Sequence, residues 1–258
     1  MVDEEEGAER LLVFFPKLAV DGAPPKKRPE YLDDVVAHQL RLGADINFFV
    51  GPNREMRGAR AAQALIEDTR KTLGLERESV VAVGTSMGAV CSLWMGLGAG
   101  AGHVIVGSPP LFLGKTLKQF ARVDGPTHSA KAGAPELLRL ARQKGSDETA
   151  AAFLDRLIPR MVEAAPPARV DVLSGPGDQL FPQCEALAKL FEQHPQHEFT
   201  LHVQDYGRHS GIREAFPPFL RQMLGAPTEP PTDDRKKCDR CRSQIWGEDG
   251  SDGQGSVS

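Results

Sequence analysis

Three residues in this chain have the types and the order for nucleophilic chemistry: Ser86, Asp178 and His209. Ser86 lies in Gly84-Thr85-Ser86-Met87-Gly88, a G-x-S-x-G pattern. A serine hydroxyl attacks poorly until a base takes its proton, and that base is usually a histidine oriented by a carboxylate. The pattern alone is weak, and an incidental serine in a glycine-rich turn is the plain alternative. Its setting carries more information. The apolar run Val80–Val83 leads in and the small-residue stretch Gly88–Leu97 leads out, which is the strand–turn–helix context such a serine needs. A serine at the tip of a tight turn has a strained backbone. A side chain two positions before or after it would crowd the adjoining strand or helix, and glycine at both places removes the Cβ. The same turn puts the Met87 N–H at a helix start, where a donor can stabilise an oxyanion.

The acid and the base of such a trio are expected after later strands. Asp178 follows the predicted strand Arg169–Leu173 and the turn Ser174-Gly175-Pro176-Gly177. His209 follows Phe199–Val203 and the loop Asp205-Tyr206-Gly207-Arg208. Other assignments compete. Asp171 lies inside a predicted strand and would point into the packing layers of a sheet. Asp205 lies in the histidine loop and would support His209 locally. His202 falls within a strand and reads as packed or surface, and His103 begins a strand and reads as core. His38, His128, His194 and His197 show no metal-ligand spacing.

The elements that must position these residues alternate. Strands are predicted at Leu11–Phe15, Asp45–Val50, Ser79–Val83, His103–Val106, Arg169–Leu173 and Glu198–Gln204. Helices are predicted over Tyr31–Leu42, Arg57–Leu73, Met87–Leu97, Gln183–Gln193 and Gly211–Leu224. Trp94 and Met95 on the third of these helices read as core. Strands alternating with helices imply a mostly parallel central sheet with helices on both faces. Between the fourth and fifth predicted strands, Leu111–Pro166 holds no convincing strand. It carries amphipathic helical stretches near Pro135–Gln143 and Asp147–Val162, and reads as a helical insertion. The expected domain is 1–225, and 226–258 is a Pro-, Asp-, Gly- and Ser-rich tail expected to be disordered.

Composition narrows the class. The chain has 258 residues, 31 basic and 35 acidic, for a formal net charge of −4, with 40% hydrophobic residues. That is enough for a large core, and it lacks the basic footprint of a nucleic-acid binder. Four cysteines are too few for a disulfide scaffold. The start Met1-Val2-Asp3-Glu4-Glu5-Glu6 is unlike a secretion signal, so a cytoplasmic location is expected, and the acidic stretch Asp3 to Glu6 reads as a solvated terminus. Ser79–Gly114 carries no charged side chain over 36 residues, but eight are glycine and Pro109-Pro110 interrupts it, so buried strands and a buried helix are expected rather than a membrane span. Cys238-Asp239-Arg240-Cys241 supplies only two of the four ligands zinc wants and reads as incidental. Lys26-Lys27-Arg28 reads as a solvated loop, or as a feature favouring an anionic substrate.

From Leu11 to Leu224 the motif order, the strand spacing and the inserted helical block resemble the α/β-hydrolase superfamily of serine hydrolases. That resemblance implies Ser86 as nucleophile, His209 as general base and acid, and Asp178 as the carboxylate orienting the histidine. It makes the 111–166 insertion a cap. It implies an acyl ester or thioester as small-molecule substrate, with no metal or organic cofactor. The family draws a second oxyanion donor from the loop after an early strand, often with a Gly pair. Here that loop reads Phe14-Phe15-Pro16-Lys17-Leu18, without those residues; Pro16 has no N–H, and Lys17 or Leu18 could supply one. The opening Leu11–Pro16 and the Ser86 motif also look like thioesterases that unload acyl carriers, and an acyltransferase on the same trio is a further reading. A non-catalytic binding protein on the same fold is the alternative of a different class.

Overall fold

The central strands are built from residues that hide both faces. The computed structural model describes residues 2–3, 8–15, 37–42, 57–116 and 152–226. Seven strands form one sheet: β1 (Val2–Asp3), β2 (Leu11–Phe15), β3 (His38–Arg41), β4 (Val80–Thr85), β5 (His103–Gly107), β6 (Arg169–Ser174) and β7 (Glu198–Val203). Their order is β1-β3-β2-β4-β5-β6-β7. The strands from β3 to β7 in that order run parallel, and β1 pairs antiparallel with β3. The helices are α1 (Arg57–Thr72), α2 (Met87–Cys91), α3 (Leu157–Ala164), α4 (Phe181–Glu192) and α5 (Ile212–Leu224), and α2 continues into a π-helical turn, Ser92–Gly96.

Alternate residues of each strand feed two cores, as the pleat requires. Leu11, Val13 and Phe15 join Val80, Ala82, Val104, Val106, Val170 and Val172 beneath α1, α2, α3 and α4. Leu12, Phe14, Val81, Val83, Ile105 and Leu173 pack on the other side against Ile212, Phe216, Phe219 and Leu220 of α5. Parallel strands covered on both faces read as continuous apolar runs, and that is why they were legible in sequence. Trp94 and Met95 are core residues, as expected. Among the described residues of the 111–166 insertion there is no strand. Leu111, Leu113, Leu154, Leu157, Ile158 and Val162 are buried in the first core. No helix of the described residues is long and apolar enough to cross a membrane.

Two expectations need correcting. Residues 38–41 are a strand and not the end of a helix. Leu40 is fully buried and His38–Arg41 pairs in register with Leu11–Phe14. Docking on the apolar β2 outweighs helix propensities, which differ by only ~0.7 kcal/mol per residue. The acidic start is not wholly a solvated terminus either, because Val2 and Asp3 pair with Leu40 and Gln39 and cover the edge of β3. The predicted strand Asp45–Val50, the stretch Pro135–Gln143, Lys26–Arg28, the Cys238/Cys241 pair and the tail from 227 lie outside the described residues.

The topology brings four strand ends together. Ser86 follows β4, Ser108 follows β5, Ser174 ends β6, and the histidine loop follows β7. These strands are neighbours in the sheet, so all four chain segments emerge at one carboxyl edge, where sites of open α/β sheets are found.

Candidate active site

Ser86 sits between β4 and α2 with φ 53° and ψ −119°. A positive φ is costly for a residue with a Cβ, and it persists where the surroundings enforce it. Gly84 is one enforcing element. A Cβ there would lie 2.4 Å from the Gly88 carbonyl oxygen and 2.7 Å from Ser92 Oγ. The turn closes this tightly only because position 84 has no side chain. The Ser86 N–H donates to the Gly107 carbonyl at 2.8 Å, which ties the turn to β5. Ser92 Oγ donates to the Gly88 carbonyl at 2.9 Å, just where the helix widens into its π turn, a distortion often found beside functional sites.

Asp178 and His209 converge on this serine. His209 Nε2 is 3.0 Å from Ser86 Oγ. His209 Nδ1 is 2.9 Å from Asp178 Oδ2 and 3.1 Å from Oδ1. A carboxylate accepts only, so Nδ1 carries the proton and Nε2 is left to accept from the serine hydroxyl. The two loops meet closely because a Cβ at Gly177 would lie 2.5 Å from the Gly207 carbonyl oxygen.

Asp178 is buried, at 2% exposure. Burial pushes its carboxyl up, but hydrogen bonds from His209, the Leu180 N–H and Ser108, with the His209 charge, outweigh it and hold the carboxyl down at about 2. The Leu180 N–H donates to Oδ1 at 2.9 Å. Ser108 Oγ donates to Oδ2 at 2.7 Å and the Tyr206 hydroxyl donates to the same oxygen at 2.9 Å. Burial pushes the Tyr206 hydroxyl up to about 12, so it stays a donor at neutral pH.

The competing carboxylates go elsewhere. Asp171 is fully buried on the α5 side of the sheet. It accepts from His103 Nε2 and His202 Nε2, each at 2.7 Å, and from Arg169 Nε at 2.8 Å. Burial opposes its charge, but these three donors hold it well below the usual carboxylate range. His103 and His202 are thus partners of a structural carboxylate, and His202 also packs edge-on against Phe219. Asp205 accepts from the Gly207 N–H at 3.0 Å and shapes its own loop.

No protein-family model matches the sequence, and no curated protein matches it. Solved structures do match in shape. A capsule O-acetyltransferase of Neisseria meningitidis serogroup A superposes with a TM-score of 0.65 at 11% identity, over 87% of this chain and 89% of that one. Acetyl xylan esterase 1 from Thermoanaerobacterium sp. gives 0.58 at 14% identity, over 85% and 75%. Carboxyl esterase 2 from the fungus Tuber melanosporum gives 0.53 at 13% identity, over 87% and 80%. The chain has the α/β-hydrolase fold. Met87, expected as an oxyanion donor, is the first residue of α2. Lys17, the expected second donor, lies outside the described residues. Ser108 and Tyr206 were not anticipated from sequence. Ser108 precedes Pro109-Pro110 and Tyr206 stands three positions before His209, but nothing in either context names Asp178 as a partner.

Proposed function

We propose that this protein is a serine hydrolase that cleaves an ester-type acyl bond. The observation that carries the reading is the continuous hydrogen-bonded line from Ser86 Oγ through His209 to Asp178, with spacings of 3.0 and 2.9 Å. Ser86 Oγ attacks the substrate carbonyl carbon while His209 Nε2 takes its proton. The Met87 N–H and a donor from the loop at Lys17 hold the resulting oxyanion. The tetrahedral intermediate collapses, the carbon–oxygen bond to the leaving group breaks, and His209 returns the proton to that alkoxide. Water then enters and gives a proton to His209 as its oxygen adds to the acyl carbon; the bond to Ser86 Oγ breaks, His209 returns the proton to Ser86 Oγ, and the acid leaves. Asp178 keeps its charge throughout and stabilises the imidazolium.

The segment 111–166 would cap the acyl pocket in this reading. Transfer to an alcohol in place of water is the second reading, favoured by the likeness to an O-acetyltransferase. The acyl-enzyme is common to both, and a thioester can load it equally well. The acetyl group in the names of the acetyltransferase and the acetyl xylan esterase makes acetyl esters the first substrates to try.

The deciding experiment is labelling by a fluorophosphonate, which needs no knowledge of the substrate. Wild type should label, and Ser86→Ala and His209→Ala should not. A folded wild type that stays unlabelled would overturn catalysis and favour a binding role. Competition between oxygen esters, thioesters and acceptor alcohols would then separate esterase, thioesterase and acyltransferase.

A further inference from the structure

Among the described residues, two that are not glycine have a left-handed backbone: Ser86 at φ 53° and Ser108 at φ 43°. The turn explains the first. Ser108 does no chemistry in the scheme above, yet it is fully buried, with its N–H donating to the Leu173 carbonyl at 2.9 Å. Strained residues persist where several contacts over-determine them, and they gather at working sites. The contacts at Ser108 all point one way. Its hydroxyl lies 2.7 Å from Asp178 Oδ2, touches the Tyr206 hydroxyl, and has Ser174 Oγ behind it at 3.2 Å. Tyr206 reaches the same Oδ2 at 2.9 Å. Oδ2 is also the carboxylate oxygen nearer to His209 Nδ1. The Leu180 N–H anchors the other oxygen.

We propose that Ser108 and Tyr206 are positioning residues: their hydroxyls hold the Asp178 carboxylate in the orientation that meets His209 and draw charge away from Oδ2. Each hydroxyl has one proton and both protons go to Oδ2, so the pair acts together on that one oxygen. Without it, the carboxylate can turn away from His209. More charge also collects on the oxygen facing Nδ1, which favours the imidazolium that cannot accept a proton. The strain at Ser108 is the cost of aiming a hydroxyl from the end of β5 into the gap between the acid turn and the histidine loop. This inference rests on the serine-hydrolase reading.

The test compares wild type, Ser86→Ala, Ser108→Ala, Ser108→Gly and Tyr206→Phe by the rate of fluorophosphonate inactivation between about pH 5 and pH 9. Loss of a hydrogen bond to a charged group should slow each positioning variant roughly ten- to hundred-fold. The acid limb of the pH–rate profile should move to higher pH, which a merely loosened fold would not do. Glycine relaxes the left-handed backbone, so Ser108→Gly should melt no lower than Ser108→Ala while losing as much rate. Wild-type rates and an unmoved acid limb in the three variants would overturn the inference and leave the serine-hydrolase reading intact. So would a rate loss that follows the melting temperature with no movement of the limb. A wild type as unreactive as Ser86→Ala would overturn both.

Discussion

Asp178→Asn is the sharpest perturbation of the proposed machinery, because the structure dictates how the new amide must sit. The Leu180 N–H is a fixed donor 2.9 Å from Oδ1, so the amide carbonyl has to take that place. The NH2 group then replaces Oδ2, 2.9 Å from His209 Nδ1. Ser108 and Tyr206 can rotate their hydroxyls to accept from it, but Nδ1 can accept only by giving up its proton. The imidazole is driven to the tautomer with its hydrogen on Nε2, which faces Ser86 and cannot take the serine proton. Loss of the productive tautomer in a comparable trio costs ~10⁴ in rate, or about 5.4 kcal/mol. Stability falls as well. The hydrogen bonds that hold this carboxyl down at about 2 favour the folded state at neutral pH, and the amide forgoes that stabilisation. The assay is fluorophosphonate inactivation and p-nitrophenyl acetate hydrolysis at pH 8, with the folded fraction measured by circular dichroism. A folded Asp178→Asn protein within ten-fold of wild type, or an equal loss on Asp205→Asn, would refute the reasoning.

Three further outcomes are expected. Gly84→Ala places a Cβ 2.4 Å from the Gly88 carbonyl oxygen, and backbone there cannot yield. It should cost roughly 1–3 kcal/mol in denaturant melts, and it should slow labelling about a hundred-fold by displacing Ser86. Asp171→Ala strips a buried carboxylate from His103, His202 and Arg169. It should cost roughly 3–5 kcal/mol, with the labelling rate per folded molecule unchanged, and a rate loss at full folding would contradict the placement of Asp171 away from the site. Asp178 has a depressed carboxyl, so its stabilisation is present above about pH 4 and fades as the pH falls through about 2. Wild-type melting temperature should drop across that window, and the drop should be smaller in Asp178→Asn, as calorimetry would record.

The sequence determined the sheet and the order of its chemistry. Central parallel strands are buried on both faces, so β2, β4, β5 and β6 appear as apolar runs whose ends are marked by glycine, proline or polar turns. Ser86 and Asp178 follow such runs, His209 follows the half-exposed β7, and chain order placed all three after strands of one sheet. Gly84 announced a tight turn by composition, because only a missing Cβ permits the close approach to the Gly88 backbone. The sequence did not determine β3. Its four residues are short, and their strand state comes from pairing with β2, a contact outside any local window.

Chain order favoured Asp178, but the sequence does not show where each carboxylate points. Asp171 lies inside β6, Asp178 and Asp205 lie in the loops after β6 and β7, and what separates them is the direction of the side chain. The pleat turns Asp171 toward α5, where His103 and His202 arrive from the two flanking strands. The tight turn after β6 swings Asp178 toward His209 instead. Ser108 and Tyr206 are 98 positions apart, and both meet Asp178 only because β5, β6 and β7 lie side by side. Hydroxyl groups leave no periodic signature, and a positive φ cannot be read from a residue that is not glycine. That part of the site exists only in the folded arrangement, where the ends of β5 and β7 aim their donors at one buried oxygen on the turn after β6.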